Sequence, residues 1–259
     1  MTNPLFSEII RDTAELVRKA AHPKRNTIQV SPELAEFLNR VGQAAAPITH
    51  AVSDDDGRVA RLAEIAQEVA ACTKCGLCKQ RTQTVFSDGN PYARVVFVGE
   101  APGADEDAQG VPFVGKAGQL LTKIIEGGMK LRRDQDVYIC NVIKCRPPNN
   151  RDPLPEEKAA CEPYLVRQLE LIRPKVICAL GGHAATTLLK TDESTGRLRG
   201  RWHFYHGIPL RVTYHPAYLL RSPGEKKKTW EDIQEVMRVL DGEYTPEPPA
   251  DSPASALFG

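Results

Sequence analysis

Short apolar runs alternate with segments of helical periodicity along most of this chain of 259 residues. The continuous apolar runs predict four strands, at 95–99, 137–142, 175–180 and 208–213. The helical periodicity predicts helices at 59–71, 117–127, 155–172, 183–189 and 228–240. Strands and helices that alternate in this way are typical of a parallel sheet with helices on both faces. We therefore expect an α/β protein of three layers, α/β/α, with a central, mainly parallel four-stranded sheet.

The two ends of the chain have other patterns. Residues 5–21 and 31–41 predict amphipathic helices, the second with Ser31 as its N-cap and Pro32 in its first turn. A polar stretch at 53–57 is typical of a linker, and the last residues are rich in Pro, Ala and Ser, which is typical of disorder. We expect a helical extension with its linker at 1–58, a main domain at 59–243 and a disordered tail at 244–259.

Composition narrows the setting in which the chain works. The hydrophobic content is 41%, and no apolar run approaches the roughly 20 residues of a membrane span. Asp12 and Glu15 interrupt the hydrophobicity of the N-terminal segment, which therefore lacks a signal-peptide core. We expect a cytoplasmic protein without membrane contact. In that reducing compartment the seven cysteines favour metal or cluster binding over disulfides.

The cysteines fall into two groups. Cys140 and Cys178 stand inside apolar runs, where a free cysteine acts as a small buried hydrophobic residue. The other five bracket the glycine-rich stretch 99–118: Cys72, Cys75 and Cys78 precede it, and Cys145 and Cys161 follow it. A Cys-x-x-Cys pair with two distant thiolates can complete four-fold ligation of zinc or of an iron-sulfur cluster. Either of the two overlapping Cys-x-x-Cys pairs satisfies that spacing.

Charge and polarity indicate where a ligand would bind. Residues 196–228 include eight basic residues and one acidic residue, Glu225. This excess of positive charge suits the binding of a polyanion. Polar residues also follow each predicted strand, notably Glu100, Asn141, His183 and His215. Parallel strands end at one edge of a sheet, where α/β proteins bind their ligands. The sequence therefore predicts one polar site at this edge.

Five ordered motifs carry a resemblance to a known family. They are Gly-Glu-Ala-Pro-Gly at 99–103, Pro-Phe-Val-Gly at 112–115, Ala-Gly-Gln-Leu-Leu at 117–121, Asn-Val-Ile-Lys-Cys-Arg-Pro-Pro at 141–148 and His-Pro-Ala-Tyr-Leu-Leu-Arg at 215–221. With the cysteines, they resemble the family 4 uracil-DNA glycosylases, the iron-sulfur branch of their superfamily, over residues 72–240. The resemblance implies the uracil-DNA glycosylase fold and excision of uracil from single- or double-stranded DNA, in base excision repair, by a monomer.

The resemblance also implies roles for residues of the base site. Phe113 stacks on the extruded base, and the Asn141 amide pairs with N3–H and O4 of uracil, an edge that cytosine does not present. Glu106 lies beside the base, where it excludes the methyl group of thymine. A neutral His215 donates to O2 as uracil departs with negative charge. Related glycosylases orient the water with an aspartate close to Ala101, which leaves Glu100 or Asn150 for that task.

A DNA surface and a cofactor complete the expectations from the resemblance. Tyr218, Leu219 and Leu220 would fill the gap left by the extruded nucleotide, unless the two leucines are core residues of a helix. Arg221 and Lys226 would hold phosphates. The implied cofactor is a [4Fe-4S] cluster, and its implied ligands are Cys72, Cys75, Cys145 and Cys161. Zinc is the alternative metal, and Cys78 the alternative ligand.

Two other function classes fit parts of this pattern. A non-catalytic iron-sulfur module that binds DNA or senses damage would account for the basic region and for the missing aspartate. An iron-sulfur electron carrier would account for the cysteines, but it has no use for Asn141, His215 and a basic wedge together.

Overall fold

The computed structural model describes residues 56–248. The helices predicted at 5–21 and 31–41 lie outside the described residues, as does the tail beyond 248. The described part of that tail, 244–248, contains no helix or strand.

A six-stranded sheet forms the centre of the protein. Its strands are β1 (Asp88–Gly89), β2 (Val95–Gly99), β3 (Val137–Asn141), β4 (Val176–Leu180), β5 (Trp202–Tyr205) and β6 (Ile208–Thr213), in the order β1-β3-β2-β4-β6-β5. The inner four are parallel and are the four predicted strands. The two edge strands, β1 and β5, are antiparallel to their neighbours and were not predicted from the sequence.

Helices cover both faces of the sheet. The α-helices are α1 (Arg58–Ala70), α2 (Ala104–Gln109), α3 (Lys116–Thr122), α4 (Pro155–Ile172), α5 (Gly182–Leu189), α6 (Thr195–Leu198), α7 (Pro216–Arg221) and α8 (Lys226–Leu240). A π-helical turn, Lys123–Gly128, continues α3, and 3-10 turns occupy Gly76–Lys79, Pro148–Asn150 and Pro223–Glu225. No helix in the described range is long and apolar enough to cross a membrane.

Alternate residues of the inner strands enter two separate cores. Val96 and Val98 pack with Leu165 of α4 in one core, while Val95 and Phe97 pack with other helices, α3 and α8, in the second. Every residue of β2, β3 and β4 is buried, which explains why these strands are continuous apolar runs without polar alternation. The predicted three-layer α/β/α architecture is therefore confirmed for the described residues.

Candidate active site

A cavity of about 780 Å³ opens at the carboxyl edge of the parallel strands. Each inner strand leads directly into its wall, through Glu100 after β2, Asn141 at the end of β3, Gly181 after β4 and Tyr214 after β6. Besides His183, nine residues that the sequence singled out line it together: Glu100, Ala101, Glu106, Phe113, Asn141, Asn150, His215, Tyr218 and Arg221. The predicted convergence at one sheet edge is what the structure shows.

A glycine brings two of these side chains together at the base of the cavity. Gly99 is the register partner of Asn141 in the sheet. A Cβ atom on Gly99 would lie 2.3 Å from Asn141 Oδ1 and 2.6 Å from Phe113 Cζ. Only a residue without a side chain therefore fits between the amide and the aromatic ring. Asn141 is 2% exposed, and its Oδ1 is buried without a hydrogen-bond partner.

The backbone around Phe113 holds the aromatic ring in a fixed place. Phe113 has a left-handed φ of 55°, which is uncommon for a bulky residue. A Cβ atom on Gly118 would lie 1.8 Å from the carbonyl oxygen of Phe113, so the helix that follows also needs a glycine there. The Phe113 ring is 5.7 Å from the ring of His215, centroid to centroid, and both line the cavity.

Glu106 ties this aromatic loop to the strand end. Its Oε1 accepts hydrogen bonds from the backbone N–H groups of Val114 and Gly115, both at 3.0 Å. Its Oε2 accepts from the N–H of Gly103 at 3.1 Å. Both carboxylate oxygens are therefore occupied by the protein backbone. Sequence reasoning did not predict this role in holding the Phe113 loop.

His215 immediately precedes α7, and a hydrogen bond determines which nitrogen of its ring carries the proton. Its Nδ1 accepts a hydrogen bond from the backbone N–H of Ala217 at 3.1 Å, which leaves the proton of a neutral ring on Nε2. Burial, aided by the charge of Arg221, lowers the pKa of His215 to about 4. A Cβ atom on Gly181 would lie 2.8 Å from His215 Cβ, so this glycine makes room for the ring. At neutral pH the ring is an uncharged donor.

Glu100 lines the same cavity, and one of its carboxylate oxygens has no hydrogen-bond partner among the described residues. Its side chain is about one fifth exposed, and its Oε1 is buried without a hydrogen-bond partner. The Nδ1 of His183 lies 3.6 Å from that oxygen, and the Nε2 of His183 lies 3.7 Å from Asp152 on the outer side. Burial raises the pKa of Glu100, an effect that the nearby His183 opposes. A carboxyl group with a raised pKa is suited to accept a proton.

Asn150 lies on the other loop that borders the cavity. It is exposed, with a left-handed φ of 55°, and its Oδ1 accepts a hydrogen bond from Arg146 Nε at 2.8 Å. Its amide oxygen therefore already has a partner, unlike the buried oxygen of Glu100. Of the two residues predicted to position the water, Glu100 is therefore the one with an unpartnered side-chain oxygen.

The residues of α7 that were expected to face DNA differ in their exposure to solvent. Leu220 and Tyr218 are 46% and 37% exposed, whereas Leu219 is 1% exposed. Leu219 is therefore buried in the core, and the large apolar side chains that this helix presents to solvent are Tyr218 and Leu220. The wedge role of Leu219 stays a prediction. Arg221 is exposed at the cavity wall, and Lys226 is exposed at the start of α8.

The five bracketing cysteines line a second, small cavity between α1 and α4. All are free thiols, and all five, Cys78 included, face this space. Cys161 accepts a hydrogen bond from the backbone N–H of Lys144 at 3.3 Å, and Cys145 accepts one from Arg81 Nη1 at 3.2 Å. Cys140 and Cys178 are fully buried elsewhere, as predicted.

Several residues of these two sites received no role from the sequence. His183 and Tyr214 follow strand ends, so the strand-edge rule includes both of them. Ser194 and Thr195, at the start of α6, also line the cavity, but no strand leads into them. Arg81 stands in a polar stretch with no regular pattern, and nothing in the sequence indicates its contact with Cys145.

Comparison with known proteins agrees with this geometry. The model of the uracil DNA glycosylase superfamily matches residues 86–234, more than half of the chain. The chain therefore belongs to the uracil-DNA glycosylase superfamily.

Curated relatives indicate which branch of the superfamily the chain resembles. The chain is similar to the Type-4 uracil-DNA glycosylase of Saccharolobus solfataricus, with 47% identity over 68% of this chain and 85% of the relative. It is 44% identical to the Type-4 uracil-DNA glycosylase of Thermotoga maritima over 69% of this chain and 94% of the relative. A Type-5 uracil-DNA glycosylase of Pyrobaculum aerophilum is 32% identical over 58% of this chain. These matches confirm the resemblance to the family 4 enzymes.

Proposed function

We propose that this protein is a DNA repair glycosylase that binds a uracil nucleotide turned out of DNA and hydrolyses its N-glycosidic bond. The reaction releases uracil and leaves an abasic site. The observation that carries the proposal is the buried, unpartnered oxygen of Asn141 at the base of a cavity that also contains His215 and Phe113. A buried polar atom without a partner is costly, and a ligand group that pairs with it recovers that cost.

Base recognition follows from the Asn141 amide. Its oxygen accepts a hydrogen bond from N3–H of uracil, and its NH2 group donates to O4. Cytosine has an unprotonated N3 and an NH2 group at that edge, so both pairs would fail. A buried group left unpaired costs about 1 to 3 kcal/mol, which gives substantial selectivity from one amide. The Phe113 ring, held by its backbone, supplies the stacking surface.

His215 stabilises the departing base. Cleavage of the bond between C1′ and N1 leaves negative charge on uracil and positive charge on the sugar. The Nε2–H of a neutral imidazole donates to O2 of uracil, where part of that charge develops. The hydrogen bond from Ala217 fixes the proton on Nε2 before the substrate arrives. No proton transfer from His215 is needed for this role.

We assign to Glu100 the role of positioning the attacking water. Its buried oxygen has no hydrogen-bond partner in the protein and lies at the wall of the same cavity. The carboxylate orients a water toward C1′ and accepts a proton as the hydroxyl group joins the sugar. The reaction then balances: the hydroxyl group of the water joins C1′, and the one proton that Glu100 has accepted passes through solvent to the uracil anion, which returns Glu100 to its carboxylate form. Ala101 occupies the place where related glycosylases carry an aspartate.

DNA would bind across the mouth of the cavity. Leu220 and Tyr218 project from α7 and fill the space that the extruded nucleotide leaves, which offsets part of the unstacking cost. Arg221 and Lys226 contact phosphates and give the affinity a dependence on salt. Both single- and double-stranded DNA can present a nucleotide to a site of this kind. We assign this activity to a monomer in the cytoplasm.

A [4Fe-4S] cluster on Cys72, Cys75, Cys145 and Cys161 would join the two cysteine segments. All four line one small cavity, although they come from two segments that are distant in the sequence. In such a cluster each of the four thiolates binds a different iron. The cluster would stabilise the fold and take no part in cleavage.

Cleavage of defined oligonucleotides tests the function. Purified protein is incubated with single- and double-stranded oligonucleotides that carry one uracil, and abasic sites are then cleaved with alkali. We expect strand breaks at uracil and none at cytosine or thymine in the same position. A protein with its cluster bound that binds this DNA but produces no break would be a non-catalytic module, and our assignment would fail.

Exchange of the base-reading amide tests the assignment of Asn141. In Asn141→Asp a carboxylate replaces the amide and cannot donate to O4. We expect the preference for uracil over cytosine, measured as the ratio of single-turnover rates, to fall about 10-fold or more, in line with 1 to 3 kcal/mol for a lost pair. An unchanged ratio would remove Asn141 from base reading.

A further inference from the structure

One arginine connects three parts of the chain around the cysteine cavity. Arg81 Nη1 donates hydrogen bonds to Cys145 Sγ at 3.2 Å and to the carbonyl oxygen of Cys72 at 2.9 Å. Arg81 Nη2 donates to the carbonyl oxygen of Ala70, the last residue of α1, at 2.8 Å. The guanidinium group is therefore held by two backbone carbonyls and directed at one cysteine sulfur. It is partly buried beside the cavity that it lines.

This arrangement differs from the hydrogen bond that Cys161 accepts. The N–H that reaches Cys161 belongs to the backbone of Lys144 and carries no net charge. The donor to Cys145 is a guanidinium group, which keeps its positive charge at every pH relevant to a protein. Hydrogen bonds and charge next to ligand sulfurs are known to set the potential and the retention of metal centres. Arg81 offers both at one sulfur.

We propose that Arg81 is a positioning residue for the iron-sulfur centre, which holds Cys145 in place, raises the reduction potential of the cluster and slows loss of its iron. The proposal rests on the cluster assigned above. The positive charge stabilises the reduced, more negative state of the centre relative to the oxidised one. The two carbonyl contacts fix the guanidinium group and direct it toward Cys145.

Arg81→Gln removes the charge and the fork-shaped donor, whereas Arg81→Lys keeps the charge but cannot contact all three acceptors at once. Lys79→Gln is the matched control, because it removes an exposed cation from the adjacent 3-10 turn. Each protein is purified under nitrogen and assayed for iron and sulfide. Two quantities are then measured: the midpoint potential of the cluster and the rate of iron loss to a chelator.

We expect the potential of Arg81→Gln to be more negative than that of the unmodified protein, and its iron loss to be about 10-fold faster or more, as for other changes next to metal ligands. Arg81→Lys should be intermediate, and Lys79→Gln should match the unmodified protein. If Arg81→Gln fails to fold, the potential of Arg81→Lys decides the question.

Equal potentials in the unmodified protein and the Arg81 variants would overturn the role of Arg81. Iron and sulfide absent from the unmodified protein would instead overturn the cluster itself, so the two failures are distinguishable. A uracil cleavage assay on the same preparations shows separately whether the function holds.

Discussion

The two cavities of this protein are built in opposite ways. The base cavity lies at the end of a regular sheet, and its walls are the residues that follow four parallel strands. The cysteine cavity is formed by loops, the end of α1 and the interior of α4, and its residues come from 69–81, 144–145 and 160–164. The first is anchored on regular strands, and its Phe113 loop is held by hydrogen bonds to Glu106, while the second contains five free thiols. The base cavity is thus shaped by the sheet, whereas the cysteine cavity joins segments that are distant in sequence.

Among the variants that test this difference between the two cavities, we expect removal of a thiolate to have the largest effect. We expect Cys72→Ser to lose its iron, because three thiolates cannot complete the ligand set, and Cys78→Ser to keep it. Iron and sulfide assays with the visible spectrum provide the measurement. Iron lost from Cys78→Ser and retained in Cys72→Ser would assign the second Cys-x-x-Cys pair as the ligands.

Loss of the donor in the base cavity should affect rate and leave the cysteine cavity intact. We expect His215→Ala to cleave uracil DNA about 10²- to 10³-fold more slowly in single-turnover assays, as for loss of one donor to a developing anion. DNA affinity and iron content should stay unchanged. A loss of affinity as large as the loss of rate would show that His215 binds the ground state.

Gly99→Ala tests the close approach of Asn141 and Phe113. The added methyl group would collide with both, and overpacking of this kind costs about 1 to 3 kcal/mol. We expect a fall in single-turnover rate of about 10-fold or more. Gly127→Ala is the control, since a Cβ atom there has no neighbour within 4 Å among the described residues. Equal rates in both variants would show that the cavity base tolerates a side chain.

A smaller effect should appear in the pH dependence of stability. In the unfolded chain His215 is protonated near the ordinary histidine pKa of 6.5, whereas in the folded chain its pKa is about 4. Stability from this group is therefore complete above pH 6.5 and is lost as the pH falls toward 4. Urea unfolding at pH 7 and pH 5 should show a loss of about 2 kcal/mol in the unmodified protein that His215→Gln does not show. Identical losses would mean that the ring is not buried as described.

The sequence predicted the sheet's centre better than its edges. The bounds of β2 and β6 agree with the prediction: β2 is an unbroken apolar run, and in β6 apolar residues alternate with Pro209, Arg211 and Thr213. The edge strand β5 was missed, although it forms a hairpin with β6 through His206 and Gly207. Both turn residues have positive φ, as two-residue hairpins require, but a histidine in the first place is not a usual turn residue.

The sequence predicted which residues form the site, but not the hydrogen bonds that hold them in place. The strand-edge rule and the family motifs together placed nine residues in one cavity. Neither the rule nor the motifs indicated that Glu106 binds three backbone N–H groups, because those contacts depend on how two loops meet. The same limit explains Leu219, since adjacent leucines on a short helix face different directions and only the packing decides which one is buried.

The left-handed backbone of Phe113 has a consequence for the thermodynamics of binding. An aromatic ring on a free loop would lose conformational entropy when a base docks against it, and that loss would weaken association. Here the loop is ordered during folding by the Glu106 carboxylate and by the contact with Gly118. The ordering entropy therefore belongs to the folding equilibrium. Binding of free uracil should then proceed with little unfavourable configurational entropy from the protein, and its enthalpy should reflect the hydrogen bonds formed at Asn141 and His215.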